Sequence, residues 1–147
     1  MYKDIKDTTS VKIMKTDLIK VKDDSILIGF LKDKIELKAE LKKLDDELNN
    51  VLSSYIKNNN FKGEKGEIRN IYVYKDIKNI VLVGLGEENK FNFEVLSTVI
   101  ADVSKKLRDN NTESFSIFLD SFSNNKFKDE EFVEKVILSV LMSLYKF

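Results

Sequence analysis

Two almost unbroken apolar runs, Ser25 to Leu31 (SILIGFL) and Asn79 to Gly86 (NIVLVGLG), constrain this chain more than any other feature. A strand that is apolar on successive residues buries both faces, as strands do inside a sheet covered by helices on each side. From Leu37 the pattern changes. Leu37, Leu41, Leu44, Leu48, Val51, Leu52 and Tyr55 step by three and four through charged residues, which predicts one long amphipathic helix. The asparagine- and glycine-rich stretch Asn58 to Glu67 ends it.

The remaining elements follow from the same reading. Val11 and Ile13 alternate with Lys12 and predict an edge strand. Ile68 to Tyr74 (IRNIYVY) is a strand separated from Asn79 to Gly86 by only KDIK. Four residues cannot carry a parallel crossover, so these two strands are expected to pair antiparallel. Asn92 is placed to cap a helix whose stripe is Phe93, Leu96, Val99, Ile100, Val103 and Leu107, ending at Asp109 to Asn111. Ser114 to Asp120 (SFSIFLD) is one more strand. Each helix is long enough for a right-handed crossover between parallel strands. The fold class expected is α/β, with a mixed, mostly parallel sheet flanked by helices in three layers.

The last helix, Asp129 to Tyr145, presents Phe132, Val133, Val136, Ile137, Val140, Leu141, Leu144 and Tyr145. That stripe is wider than one packing partner requires. The sequence then stops at Phe147 with no glycine cap, proline or polar tail, which reads either as a cut between domains or as a carboxy-terminal helix docked on its own sheet; the ending alone does not decide.

Composition limits the chemistry. With 147 residues the chain is expected to form one domain, residues 1–147. No histidine and no cysteine exclude Ser-His-Asp catalysis, thiol nucleophiles, disulfides and thiolate zinc sites. Twenty-five basic residues balance 25 acidic ones, leaving no net field for nucleic acid or an anionic membrane. The first ten residues, MYKDIKDTTS, contain no apolar stretch of a secretory signal, and no run approaches the ~20 residues of a membrane helix. A cytoplasmic location is expected.

Four carboxylate pairs, Asp23-Asp24, Asp45-Asp46, Glu87-Glu88 and Glu130-Glu131, are candidate acid/base or metal groups. Neighbours in sequence point in different directions on a helix or strand, so all four are read as solvated surface. Gly84 to Asn89 (GLGEEN) follows a strand and precedes a helix, where a phosphate loop would sit. It lacks a third glycine and a Gly-Lys-Ser/Thr, and two glutamates stand in the way, so it is read as a tight turn. In Phe61 to Glu67 (FKGEKGE), Glu64 and Glu67 offset Lys62 and Lys65, which argues against an anion site. Lys38, Lys42 and Lys43 alternate with Glu40, Asp45, Asp46 and Glu47 as a salt-laced exposed face.

The ordered motifs resemble the amino-terminal domain of the leucyl (cytosol) aminopeptidase family. They are Phe61, Gly63 and Gly66, then Val83, Gly84, Leu85 and Gly86, then the helix Phe93 to Leu107, with SILIGFLKDKIEL upstream and LYKF (Leu144 to Phe147) closing the domain. The resemblance implies a macro-domain-like fold and a two-domain parent enzyme that releases amino-terminal residues from peptides. It also implies two divalent metals (zinc, manganese or magnesium) in a larger carboxy-terminal domain whose signature resembles NTDAEGR. That signature is absent here, so no catalytic, cofactor-binding or metal residue is assigned to any position, and the chain alone is expected to be inactive. Implied partners are the catalytic domain and a homo-hexamer of the full-length enzyme, with a role in assembly or access; neither a membrane nor nucleic acid is expected. The alternative implied by the macro-like fold is a module binding ADP-ribose or a nucleotide. Such a module would carry an Asn-rich, glycine-containing loop where Phe30 to Lys34 reads FLKDK. A third reading, an interaction domain using the last helix, makes association depend on Val136 and Val140.

Overall fold

The computed structural model describes residues 18–73, 79–110, 112–123 and 127–144. A four-stranded sheet has the order β2-β3-β1-β4, with β1 at Ser25–Leu31, β2 at Ile68–Tyr72, β3 at Asn79–Gly86 and β4 at Phe115–Ile117. The two apolar runs are the adjacent central strands, paired parallel from Ser25↔Asn79 to Phe30↔Gly84. β4 is parallel to β1 on its other side. β2 is antiparallel to β3, as the short connection required. The sheet is thus mixed and mostly parallel. The expected strand at Val11 to Ile13 lies outside the described residues, as do Tyr74 and the segment from Tyr145 to Phe147.

Alternation along the central strands divides the core in two. Ile26, Ile28, Phe30, Ile80 and Leu82 face one side, packing with Leu41 and Leu44 of helix α1 (Glu40–Glu47), Leu48 just after it, and Leu52 of α2 (Val51–Asn59). Leu27, Leu31, Val81, Val83 and Leu85 face the other. There they meet Leu96, Val99, Ile100 and Val103 of α3 (Phe93–Asp109) and Phe122 of the short α4 (Asp120–Ser123). Phe132, Val136 and Val140 of α5 (Asp129–Leu144) complete that layer. The result is helix, sheet, helix.

The α3 cap forms as expected, with Val95 N–H donating to Asn92 Oδ1 at 2.9 Å. Two expectations are corrected. The long helix from Leu37 is two helices, broken where Asn49 (φ 58°) and Asn50 (φ 65°) take left-handed conformations that asparagine tolerates better than most residues. Asp45 makes the break tolerable. Its Oδ1 accepts the Leu52 and Ser53 N–H groups at 2.8 and 3.1 Å, satisfying donors that the first turn of α2 would otherwise leave open. The strand expected from Ser114 to Asp120 is the three residues Phe115–Ile117. Asp120 then starts α4, and Ser121 Oγ accepts the Gly29 N–H at 2.9 Å in place of a fourth-strand carbonyl.

Because Asp45 is 3% exposed and holds two N–H groups, Asp45→Ala should cost about 1–2 kcal/mol of unfolding free energy. Asp46→Ala, which loses only an exposed pair with Lys42, should change it by no more than about 0.5 kcal/mol. Urea titration of the two variants measures both.

Candidate functional site

Open α/β sheets bind ligands in the crevice outside the carboxyl ends of their strands, at the point where successive helices leave for opposite faces. Here that point lies between β1 and β3, since α1 and α2 follow β1 on one face and α3 follows β3 on the other. The glycine segment Phe61 to Glu67 crosses it. Asp33 N–H donates to Lys62 O at 3.0 Å and Gly86 N–H to Gly63 O at 2.9 Å, so one loop is tied to the ends of both strands. Gly66 N–H to Gly84 O and Gly84 N–H to Glu67 O, at 3.1 and 2.7 Å, continue the β2–β3 ladder outward.

Two glycines make this approach possible. A Cβ on Gly84 would stand 1.9 Å from the Glu64 carbonyl oxygen, far closer than van der Waals contact allows. Gly63 has φ +79°, and a Cβ there would meet the Leu31 and Phe30 carbonyl oxygens at 2.8 and 3.0 Å. Gly84 to Asn89 is not the tight turn read from the sequence: Gly84 to Gly86 are the last residues of β3 and Glu88–Lys90 form a short 3-10 helix, while Gly84 admits a backbone rather than a phosphate. Beside the loop a cavity of about 330 Å³ remains, lined by Lys32, Glu64, Lys65, Gly86, Glu87 and Lys90 among others. Four of its charges form two pairs, Lys32 with Glu64 at 3.4 Å and Lys90 with Glu87 at 3.1 Å. The Glu64 carboxylate raises the Lys32 pKa above its ordinary value.

The loop does hold an anion, but it is the chain's own. Glu67 Oε1 accepts the N–H groups of Lys62, Gly63 and Glu64 at 3.4, 3.1 and 3.2 Å. Oε2 accepts from Arg69 Nη2 and Nε at 2.8 and 3.2 Å. Hydrogen bonding to Glu67 first, and to Tyr55 second, raises the Arg69 pKa.

The four carboxylate pairs do not converge. Asp23 accepts from Ser116 Oγ, and Asp24 accepts the Glu113 N–H at 3.0 Å, so this pair ties the start of β1 to that of β4. Glu88 pairs with Lys34, and Glu130 and Glu131 are exposed. Asp45 departs from the surface reading, being buried as the cap of α2. The Asn49-Asn50 doublet between two apolar stretches was the signal for that role. Among the described residues no group of three or more His, Cys, Asp or Glu is placed to hold a metal ion.

A different surface is left open. Val136 and Val140, on which the third reading of the sequence made association depend, are 4% and 8% exposed and belong to the core beside α3. Around the helix from them, Leu138, Leu141 and Met142 are 46%, 39% and 75% exposed. They continue a shallow apolar groove formed by Val133, Ile137 and Leu138, rimmed by Asp129, Glu130 and Glu134. The helix is fixed in this orientation by stacking of Phe127 on Phe93 (4.3 Å between centroids) and by Arg108 Nη1 donating to the Ser143 carbonyl at 2.9 Å. Among the described residues no helix is long and apolar enough to cross a membrane.

Comparison with known proteins places this geometry in context. Residues 27–147 match the model of the cytosol aminopeptidase family, N-terminal domain. A probable cytosol aminopeptidase of Synechocystis sp. is 32% identical over 98 residues, covering 65% of this chain and 20% of the relative. One from Sulfurihydrogenibium sp. is 26% identical over 139 residues, covering 93% and 27%. This chain therefore spans a fifth to about a quarter of the length of these two relatives. Among solved structures, a tomato leucine aminopeptidase mutant superimposes with a TM-score of 0.72 at 18% identity, over 90% of this chain and 27% of that one. The macrodomain of Mycobacterium tuberculosis DarG gives 0.67 at 10% identity, over 88% of each, so the fold is macrodomain-like.

Since nothing can give way at the Gly84–Glu64 contact except backbone, Gly84→Ala should unseat the glycine loop and destabilise the chain by several kcal/mol. Gly66→Ala, with nothing within 4 Å but φ +83°, should cost only about 1 kcal/mol. Thermal unfolding by circular dichroism should rank them in that order.

Proposed function

Because the chain belongs to the cytosol aminopeptidase family as its amino-terminal domain, we propose that it is a non-catalytic unit of a longer enzyme, acting in assembly or access. The observation that carries this reading is the outer face of α5. A helix that buries Phe132, Val136 and Val140 inward and leaves Leu138, Leu141 and Met142 outward is apolar on two sides. Contiguous exposed apolar surface marks an interaction site. Its occupant in this reading is a catalytic domain expected in the remaining length of the enzyme.

The chemistry is assigned to that missing part. The parent releases amino-terminal residues from peptides in the cytoplasm, using two divalent metals held outside residues 1–147, and assembles as a homo-hexamer. Two features of this chain support the division of labour: the absence of a stretch resembling NTDAEGR, and carboxylates engaged in separate local pairs and caps. What favours assembly over nucleotide or ADP-ribose binding is the loop laid across the strand ends, which puts backbone where such a ligand would enter.

The purified 147-residue chain should release no chromophore from leucine-p-nitroanilide with added manganese, and sustained turnover would overturn the reading. In the full-length enzyme, Leu138→Lys with Met142→Lys should lower the assembled fraction in light scattering. The same pair of changes in the isolated chain should shift its stability by no more than about 0.5 kcal/mol per site, as exposed positions do.

A further inference from the structure

We propose that the backbone of residues 62–64 is an anion-binding site which the chain occupies with its own Glu67, and that a phosphate-type anion takes that place when Glu67 is removed. The inference is independent of the assembly role proposed above. Three consecutive N–H groups, from Lys62, Gly63 and Glu64, aim at one carboxylate oxygen at 3.1–3.4 Å. Successive N–H groups turned toward one point form a concavity that selects anions, and carboxylate and phosphate oxygens satisfy it alike. The positive φ of Gly63 produces that turn.

The second oxygen is recognised as a phosphate oxygen would be. Arg69 donates from both Nε and Nη2 to the single oxygen Glu67 Oε2, at 3.2 and 2.8 Å, the charge-assisted contact that a guanidinium also makes with a phosphate oxygen. Together the loop amides and the guanidinium grip an anion at both ends. The Glu67 side chain is 15% exposed, so the charge is largely withdrawn from water and its partners replace the lost hydration.

Position adds meaning to the chemistry. The same loop crosses the carboxyl ends of β1 and β3, where a sheet of this topology would receive a ligand, beside a cavity in which Glu64 and Glu87 offset Lys32 and Lys90 and only Lys65 adds positive charge. The seated carboxylate and the loop it pins close that entrance. Glu67 is thus an internal stand-in for a ligand: it keeps the anion-recognising conformation formed while denying it to free anions.

The test is a titration of the 147-residue chain with inorganic phosphate, read from backbone amide resonances, with sodium chloride at matched ionic strength as reference. In the wild-type chain the amides of Lys62, Gly63 and Glu64 should stay still. In Glu67→Ala they should move and saturate, with an apparent phosphate affinity at least about tenfold above wild type. Glu67→Gln keeps the side-chain length and one acceptor oxygen, so the loop stays seated; phosphate should displace the neutral amide and move the same three resonances. If the alanine variant does not fold, the glutamine variant decides. Folded variants whose three amides ignore phosphate would overturn the proposal. A response confined to the lysines of the cavity, or equal in the wild type, would do the same.

Discussion

The parallel pairing of β1 with β3 is the contact on which the rest of the structure depends. Ile26, Leu27, Ile28, Ile80, Val81, Leu82 and Val83 have no measurable exposure, which is possible only if helices cover both sides of the pair. Burial at this density supplies most of the apolar driving force, about 25 cal/mol for each Å² removed from water. Everything else is arranged around it: β2 and β4 satisfy the outer ladder edges, and α1 with α2 opposes α3 with α5 across the sheet.

The end of that pair also determines what the domain offers chemically. In a sheet with this order of strands the β1–β3 junction is the natural mouth for a ligand. Gly63 and Gly84 let a neighbouring loop sit so close that the mouth is filled with main chain, hydrogen-bonded to both strands. The overall shape still resembles that of macrodomains. The exposed residues of α5 lie on another part of the surface, so a function through contact does not compete with the closed crevice.

The sequence was most informative where periodicity was unambiguous. Successive apolar residues in SILIGFL and NIVLVGLG marked the two buried strands, the four-residue KDIK required the antiparallel neighbour, and Asn92 announced the α3 cap. It was least informative where a local conformation decides between two continuations of one pattern. Leu44, Leu48 and Leu52 keep helical spacing across the Asn49-Asn50 kink because both short helices rest on the same side of the sheet, so spacing alone could not reveal the break. Nor could it separate the inner from the outer half of the α5 stripe: Val136 and Ile137 are equally apolar, and only the position of α3 decides which is buried. The role of Glu67 was hidden for a related reason, since counting it against nearby lysines by charge overlooks the main-chain donors that hold it.

The strand order has a consequence for how this polypeptide is made. Ser25 pairs with Asn79 and with Phe115, so the partners of β1 emerge from the ribosome about 54 and 90 residues after it. At synthesis rates of about 5–20 residues per second, the second partner arrives roughly 5–20 seconds late. Until β3 emerges SILIGFL has neither strand partner, and until β4 emerges one of its edges is unpaired, the kind of apolar nascent-chain stretch that chaperones shield. Abundant lysine and glutamate in the flanking segments, such as KDKIELKAELKK, would hold such waiting chains apart in the crowded cell by mutual repulsion and hydration.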